Sequence, residues 1–472
     1  MSKKKKKSVP QAGQKNTKAA SKVYDLTLAG IYGDAEGTSM VKAGKPTAFD
    51  WVFGLIVFIF IIQIPLTLLG VGNYFIYYTP VILFVIAGLC LWKSLSQRKN
   101  RRRGSTGTGP AKLIAENIPL ALFGVYAVIM IISTIVNCPE LVTFTALDVR
   151  CDGIIPYLGA IAFMVAALSI DSDKIRLWLI RIFIVTASIF NLAYVIKSAE
   201  VGGSDASSIA IFVNSNHVGY YLALSTAAAA VYFVFSKTKW EMAVSLILEA
   251  LGVFALAANN TLGAQLAVAM GLIFTVPVVL LCRGRLGLRA LIPVGVAVIV
   301  FASSLVIPIQ AGFNSEGDSN SAAVHNATEL VNDVQAIGSG FSDADGSLGS
   351  GRLERWRIGL DYLKEKPLLG YGAEAGSHLT YGGETSDRIH NEYYHFALMY
   401  GVPAAAIYMI AILAVFIRGL RYRKKLTAIN IIGLCTAFTY AVSAAVGVVI
   451  PFIYPFFYIF LGLGYYRKKP TE

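Results

Sequence analysis

The chain is predicted to be all-α: a polytopic integral membrane protein of about twelve transmembrane helices with one large extracytoplasmic loop. Three observations predict this class. Of the 472 residues, 56% are hydrophobic and only 15% charged, whereas soluble domains carry about 25% charged residues. The apolar residues gather into twelve continuous runs, each near the ~20 residues a helix needs to cross the hydrocarbon core. They do not alternate as barrel strands would. Apart from the tails, a single polar stretch, residues 309–392, is long enough to build anything outside the membrane.

The runs fall at 51–70, 74–92, 116–136, 153–170, 177–196, 217–235, 242–258, 264–282, 290–308, 393–417, 427–446 and 449–466. The chain therefore divides into a basic N-terminal tail (1–50), nine helices (51–308), the polar loop (309–392), three further helices (393–466) and a short tail (467–472). The first 40 residues are polar and Lys-rich, with no short apolar stretch before a small-residue cleavage site, so no cleavable signal peptide is expected.

Orientation follows from the Lys and Arg bias. With the N-terminus cytoplasmic, most of the 41 basic residues fall in inner segments. Six of those outside, Arg352, Arg355, Arg357, Lys364, Lys366 and Arg388, lie in the long loop, where length weakens the rule. Both termini are thus expected in the cytoplasm. The Lys3–Lys7 run and Arg101–Arg103 read as topology determinants or contacts to anionic membrane lipids, not nucleic-acid sites.

This topology limits the chemistry. The inner loops are too short for a nucleotide-binding domain. Gly104-Ser-Thr-Gly-Thr-Gly-Pro lacks the Gly-Lys-Ser/Thr ending of a phosphate loop and reads as a linker. Asp171-Ser-Asp173 and Asp343-Ala-Asp345 spell the Asp-x-Asp pattern that holds metal-bound nucleotide sugars, but the first sits in a tight hairpin and the second faces the outside, so both read as solvated turns. Cys138 and Cys151 share an outer loop and can pair if that compartment is oxidising. No spacing matches a zinc site, and neither a metal nor a cofactor is expected.

The loop is the informative part. After a Gly-, Ser- and Asn-rich stretch, residues 352–365 place Leu353, Trp356, Leu360 and Leu363 three and four apart, the apolar stripe of an amphipathic helix, which Pro367 and Gly370 end. Taken by itself that helix lies on the membrane surface. Ser386-Asp-Arg-Ile-His-Asn391 follows at the threshold of the tenth membrane helix. There a neutral His390 can take a proton near pH 7, and Arg388 can grip phosphate bidentately. An interfacial hydrogen-bonding His is the simpler alternative. His217 and His395 read as polar residues at helix ends. Glu249 falls near mid-membrane, where an acid is either protonated and bonded to a neighbour such as Asn191 or couples protons in a transporter.

Gly351-Arg352-x-x-x-Trp356, Pro367-Leu-Leu-Gly-Tyr-Gly372 and His390-Asn391 with Gly401 following resemble the O-antigen ligase and polymerase family of bacterial membrane proteins. Phe212-Val-Asn214-Ser-Asn216 resembles that family's Asn-x-Asn stretch. Thr261-Leu262-Gly263 stands where members commonly show Ser-Arg-Gly, and Ala404 where the His-Asn pattern usually closes with Gly, Thr or Tyr. The resemblance implies a GT-C-like fold whose large loop is catalytic. It also implies metal-independent, inverting glycosyl transfer from an undecaprenyl-diphosphate-linked glycan to the hydroxyl of a glycan, lipid or protein acceptor, at the outer face of the cytoplasmic membrane. His390 would be general base, Arg352 and Arg388 would neutralise the diphosphate, and Asn391, Trp356, Asn214 and Asn216 would contact substrate. The alternative class is a twelve-helix transporter or flippase for lipid-linked sugars, but the two halves show no repeat. A lipid II polymerase would instead need Asp361 or Asp387 as base.

Overall fold

The computed structural model describes residues 45–71, 81–83, 85–90, 92–93, 117–137, 153–201, 209–210, 212, 214–284, 286–306, 352–373, 380–381, 384–385, 389–447 and 452–466. All of them lie in one unit, Glu36–Glu472. Every predicted apolar run has its helix. Eight are long and apolar enough to cross a membrane by length and composition: α1 (Ala48–Thr67), α3 (Ile118–Asn137), α5 (Asp173–Val201), α6 (Ser215–Phe235), α7 (Lys239–Asn259), α8 (Leu262–Arg283), α12 (Val402–Arg421) and α13 (Ala428–Ala445). Four shorter apolar helices match the remaining runs: α2 (Val81–Cys90), α4 (Ile154–Ser169), α9 (Leu291–Val306) and α14 (Tyr454–Gly464). The chain is a multi-pass membrane protein. Outside the apolar set are α10 (Arg352–Glu365), α11 (Glu392–Tyr400), the short helical turns Leu286–Arg289 and Arg423–Lys425, and a two-residue ladder pairing β1 (Thr380–Tyr381) with β2 (Glu384–Thr385).

The tenth run departs from expectation. A continuous helix over 393–417 is predicted, but the chain breaks at Gly401, whose φ of 91° closes α11 before Val402-Pro403 starts α12. Pro in the first turn suits a helix start, because its missing N–H is an orphan there in any case.

Helix α6 forms the core and is buried along its whole length from Val218 to Phe235. It packs on α5, α7, α8 and α13. Its Ser225-Thr-Ala-Ala-Ala-Ala230 segment is small because lipid gives packed helices no hydrophobic drive of their own, so close backbone approach must supply the attraction. The lipid-facing sides of α1, α3, α5 and α9 keep large apolar residues exposed, among them Leu55, Val136, Ile189 and Ile299.

The two ends of the bundle differ. At one end, α1 begins beside the α4–α5 turn, where buried Asp50 accepts from the backbone N–H of Asp171 and of Ser172. This end is basic. Lys93 pairs with Asp171 (2.9 Å) and Arg176 with Asp173 (3.5 Å). Arg289 donates to the Ser236 carbonyl (2.9 Å) and Arg418 to that of Tyr466 (2.8 Å). Arg283 donates to the carbonyl of Leu426. The Asp171-Ser-Asp173 hairpin is therefore spent on ion pairs. At the other end, the Ser133 hydroxyl of α3 donates to the Met399 carbonyl (3.1 Å) and the Tyr393 hydroxyl to that of Ala441 (2.7 Å). α10 and the start of α11 sit here.

Two further expectations change. Asn191 does not bond Glu249. Its amide donates to Ser225 Oγ (3.0 Å), an α6 partner directly within reach, and neither carboxyl oxygen of the fully buried Glu249 has a hydrogen-bond partner among the described residues. Cys138, Cys151 and Asp343-Ala-Asp345 lie outside the described residues.

Candidate functional site

The site is built around one backbone turn. His390 has φ of 52°, the left-handed region that few non-glycine residues adopt. Its neighbours fix it from both sides. Ile389 before it is fully buried, and its carbonyl accepts from the Trp356 indole N–H (2.7 Å). Asn391 after it is the N-cap of α11, extended at φ −155°, with Oδ1 accepting from the Tyr394 N–H (3.0 Å). Such a cap contributes about 1 kcal/mol. The Tyr394 hydroxyl returns to the Trp356 carbonyl (2.9 Å), closing a loop between α10 and α11. Backbone strain of this kind costs about 1–3 kcal/mol and persists where the surroundings over-determine it.

Helix α10 does not lie free on the membrane surface, because it covers the His390 turn. Its buried face is also rotated from the predicted stripe: Leu360 is 49% exposed, whereas Gly359 is buried and Trp356, Ile358, Tyr362 and Leu363 pack inward. The reason is Gly359. Lacking a side chain, it lets α10 close onto Ile389 and Tyr394, where a Cβ would overlap the Ile389 side chain and crowd the Tyr394 ring. Asp361 sits on the outer face, and the Lys364 ammonium bonded to it (2.9 Å) holds its carboxyl below the usual range.

The separate motif pieces meet at the α11–α12 break. The Pro367–Gly372 turn runs along residues 398–402: the Tyr371 N–H donates to the Leu398 carbonyl (2.9 Å), Gly372 N–H to Met399 (2.7 Å), and Val402 N–H to Pro367 (2.8 Å). Gly370 and Gly401 both have positive φ, and a Cβ on either would strike the opposing backbone. The nine residues of α11 therefore span the distance between the His390 turn and this docking point. Tyr371 also bonds Glu365 (2.8 Å). Burial first, and then that carboxylate, raise its phenol pKa, so the hydroxyl stays a donor at neutral pH.

Residues 247–409 match the family model described as O-antigen ligase. This stretch, about a third of the chain, is similar to the O-antigen ligase family. The ligase-family segment opens in α7, closes in α12, and contains Arg352, Trp356, Arg388, His390 and Asn391. The match supports a membrane enzyme of surface-polysaccharide synthesis. No curated protein matches it.

Among the expected site residues, Trp356, His390 and Asn391 come together in this segment. The side chain of Arg352, at the first residue of α10, and the whole of Arg388 lie outside the described residues, as does Asp387. Asn214 and Asn216 precede the ligase-family segment. Asn214 is the N-cap of α6, its Oδ1 accepting from the Asn216 N–H (2.8 Å). Asn259 of α7 donates to Ser215 O and Tyr194 Oη (both 3.1 Å).

One participant went unread in the sequence. Glu392, 2% exposed, gives each carboxyl oxygen to a different helix: Oε1 accepts from Tyr408 of α12 (2.7 Å) and Oε2 from Tyr440 of α13 (2.8 Å). Only the phenols mark it, and they lie 16 and 48 residues away in sequence.

Proposed function

We propose that the protein transfers a glycan from undecaprenyl diphosphate to an acceptor hydroxyl at the outer face of the cytoplasmic membrane, with both chain termini cytoplasmic. The basic end of the bundle is then the inner one, in keeping with the positive-inside bias, and the His390 turn stands at the outer water–lipid boundary. His390 accepts the proton of the attacking hydroxyl, a role worth about 10²–10⁴ in rate. The hydroxyl oxygen forms the new bond to the anomeric carbon as the bond to the diphosphate oxygen breaks. Attack opposite the leaving group inverts that carbon. Arg352 and Arg388 neutralise the departing diphosphate, which a fixed guanidinium can do without a metal. Asn391 contributes through its cap, which fixes the turn.

The observation that carries this proposal is the left-handed His390, a strained residue pinned between buried Ile389 and the helix cap Asn391 inside the matched segment. The test is transfer in vitro from a defined undecaprenyl-diphosphate glycan, comparing wild type with His390→Ala and Arg352→Ala, with and without a chelator. Loss of transfer in both variants and indifference to the chelator are expected. Full transfer by His390→Ala would remove the base, and chelator sensitivity would remove the metal-free mechanism. Movement of lipid-linked sugar across reconstituted vesicles without a new glycosidic bond would make the protein a transporter instead.

A further inference from the structure

We infer that Glu392 is the positioning residue of this site: a buried carboxylate strapped to two membrane helices that fixes the angle at which His390 meets its substrate. The inference rests on His390 acting as the base. Between the carbonyl of Ile389, held by Trp356, and the carboxylate of Glu392, held by Tyr408 and Tyr440, the chain has only His390 and Asn391. Two residues with both flanks fixed have little freedom left. The left-handed backbone at His390 and the extended one at Asn391 are the conformations that join these anchors.

The straps are themselves rigid. The Tyr408 ring stacks on Tyr126 (centroids 5.1 Å) and meets Phe396 edge-on (5.0 Å), and the Tyr440 ring stacks on Phe457 (4.9 Å). Neither phenol can swing without disturbing buried aromatic packing. Nor does helix capping explain the acid, because the N-cap of α11 is Asn391 and both Glu392 oxygens are turned to tyrosines of other helices. A carboxyl group costs more to bury than an apolar residue of its size. An ionisable group kept in such surroundings is a functional candidate by default. Here its chemical use is the pair of directional bonds that an apolar side chain cannot make.

The steady-state transfer assay with full-length protein in lipid tests this. Glu392→Gln keeps size and one good acceptor while weakening the second strap. It is expected to lower kcat about tenfold with KM for the donor unchanged, since a misplacement of about 1 Å can cost about 10²-fold. Tyr408→Phe and Tyr440→Phe each remove one strap while keeping the ring, and each should lower kcat several-fold. Combining either with Glu392→Gln should cost less than the product of the separate effects, as for groups acting through one network. The acid limb of the pH profile is expected to persist in all variants, as the assignment of His390 as base requires. The tyrosine variants keep the test decisive if Glu392→Gln folds poorly.

Wild-type kcat in folded Glu392→Gln or in both tyrosine variants would overturn the inference. So would a loss of activity matched by the loss of folded protein, or disappearance of the acid limb in Glu392→Gln. His390→Ala separates the two levels: if it stays active, the base assignment fails and the positioning role with it. If it is inactive while the Glu392 and tyrosine variants are fully active, positioning alone fails.

Discussion

The two ends of the helical bundle spend polar groups differently. At the basic end, Arg283, Arg289 and Arg418 each reach across to a backbone carbonyl at the close of another helix or loop. Each such bond satisfies an orphan acceptor and ties two segments together, a stabilising use worth about 1.5–3 kcal/mol when the donor is charged. At the opposite end the bonds converge on one turn: Trp356 holds Ile389, Asn391 caps α11, and Tyr408 and Tyr440 hold Glu392. The polar groups there fix a strained residue, and the one that closes a helix end, Asn391, is its immediate neighbour. Similar bonds thus serve cohesion at one end and geometry at the other.

Four substitutions would break or sharpen that contrast. The largest effect is expected from Gly401→Ala, which needs a left-handed alanine and drives its Cβ into the Leu368 backbone. A loss of about 2–4 kcal/mol is expected, measured as a lower midpoint in a denaturing-detergent titration, with transfer falling alongside. Arg283→Ala at the basic end should cost about 1–3 kcal/mol in the same titration yet leave transfer per folded molecule unchanged. A fall in specific activity there would erase the contrast. Trp356→Phe removes the bond to the Ile389 carbonyl and part of the packed indole, so stability should drop by about 1–2 kcal/mol while kcat falls by clearly more than the loss of folded protein. Equal losses would make the turn merely structural. Glu249→Leu should have the smallest effect: with neither oxygen bonded among the described residues, replacing the acid should leave the midpoint unchanged or raise it by up to about 1 kcal/mol. Lost transfer in that variant would bring Glu249 into the mechanism.

Sequence and structure divided the information unevenly. The helices were legible because burial in lipid leaves a signal in every residue of a run, and each of the twelve runs has its helix. The amphipathic α10 was legible too, but its buried face was misplaced. Periodicity ranks residues by apolarity and so favoured Leu360, while the contact actually closes over Gly359, a residue with no apolar weight. The continuous tenth helix failed at Gly401 for a related reason: the break is enforced by the Pro367–Gly372 turn docking across it, a contact between segments far apart in sequence.

What the sequence by itself determined was the membrane class, the helical runs, the uneven spread of basic residues among the connecting segments, and the small set of loop residues from which His390 and Trp356 could be picked. Each of these depends on local composition or short spacing, which the transfer free energies of single residues and the geometry of a few helical turns dictate. Only the tertiary structure decided that the loop motifs meet at the α11–α12 break, that His390 is held left-handed, and that Glu392 is bound by two tyrosines. These depend on which distant helices lie side by side, and hydrogen bonds of about 3 Å between α10, α11, α12 and α13 leave no trace in the order of residues along the chain.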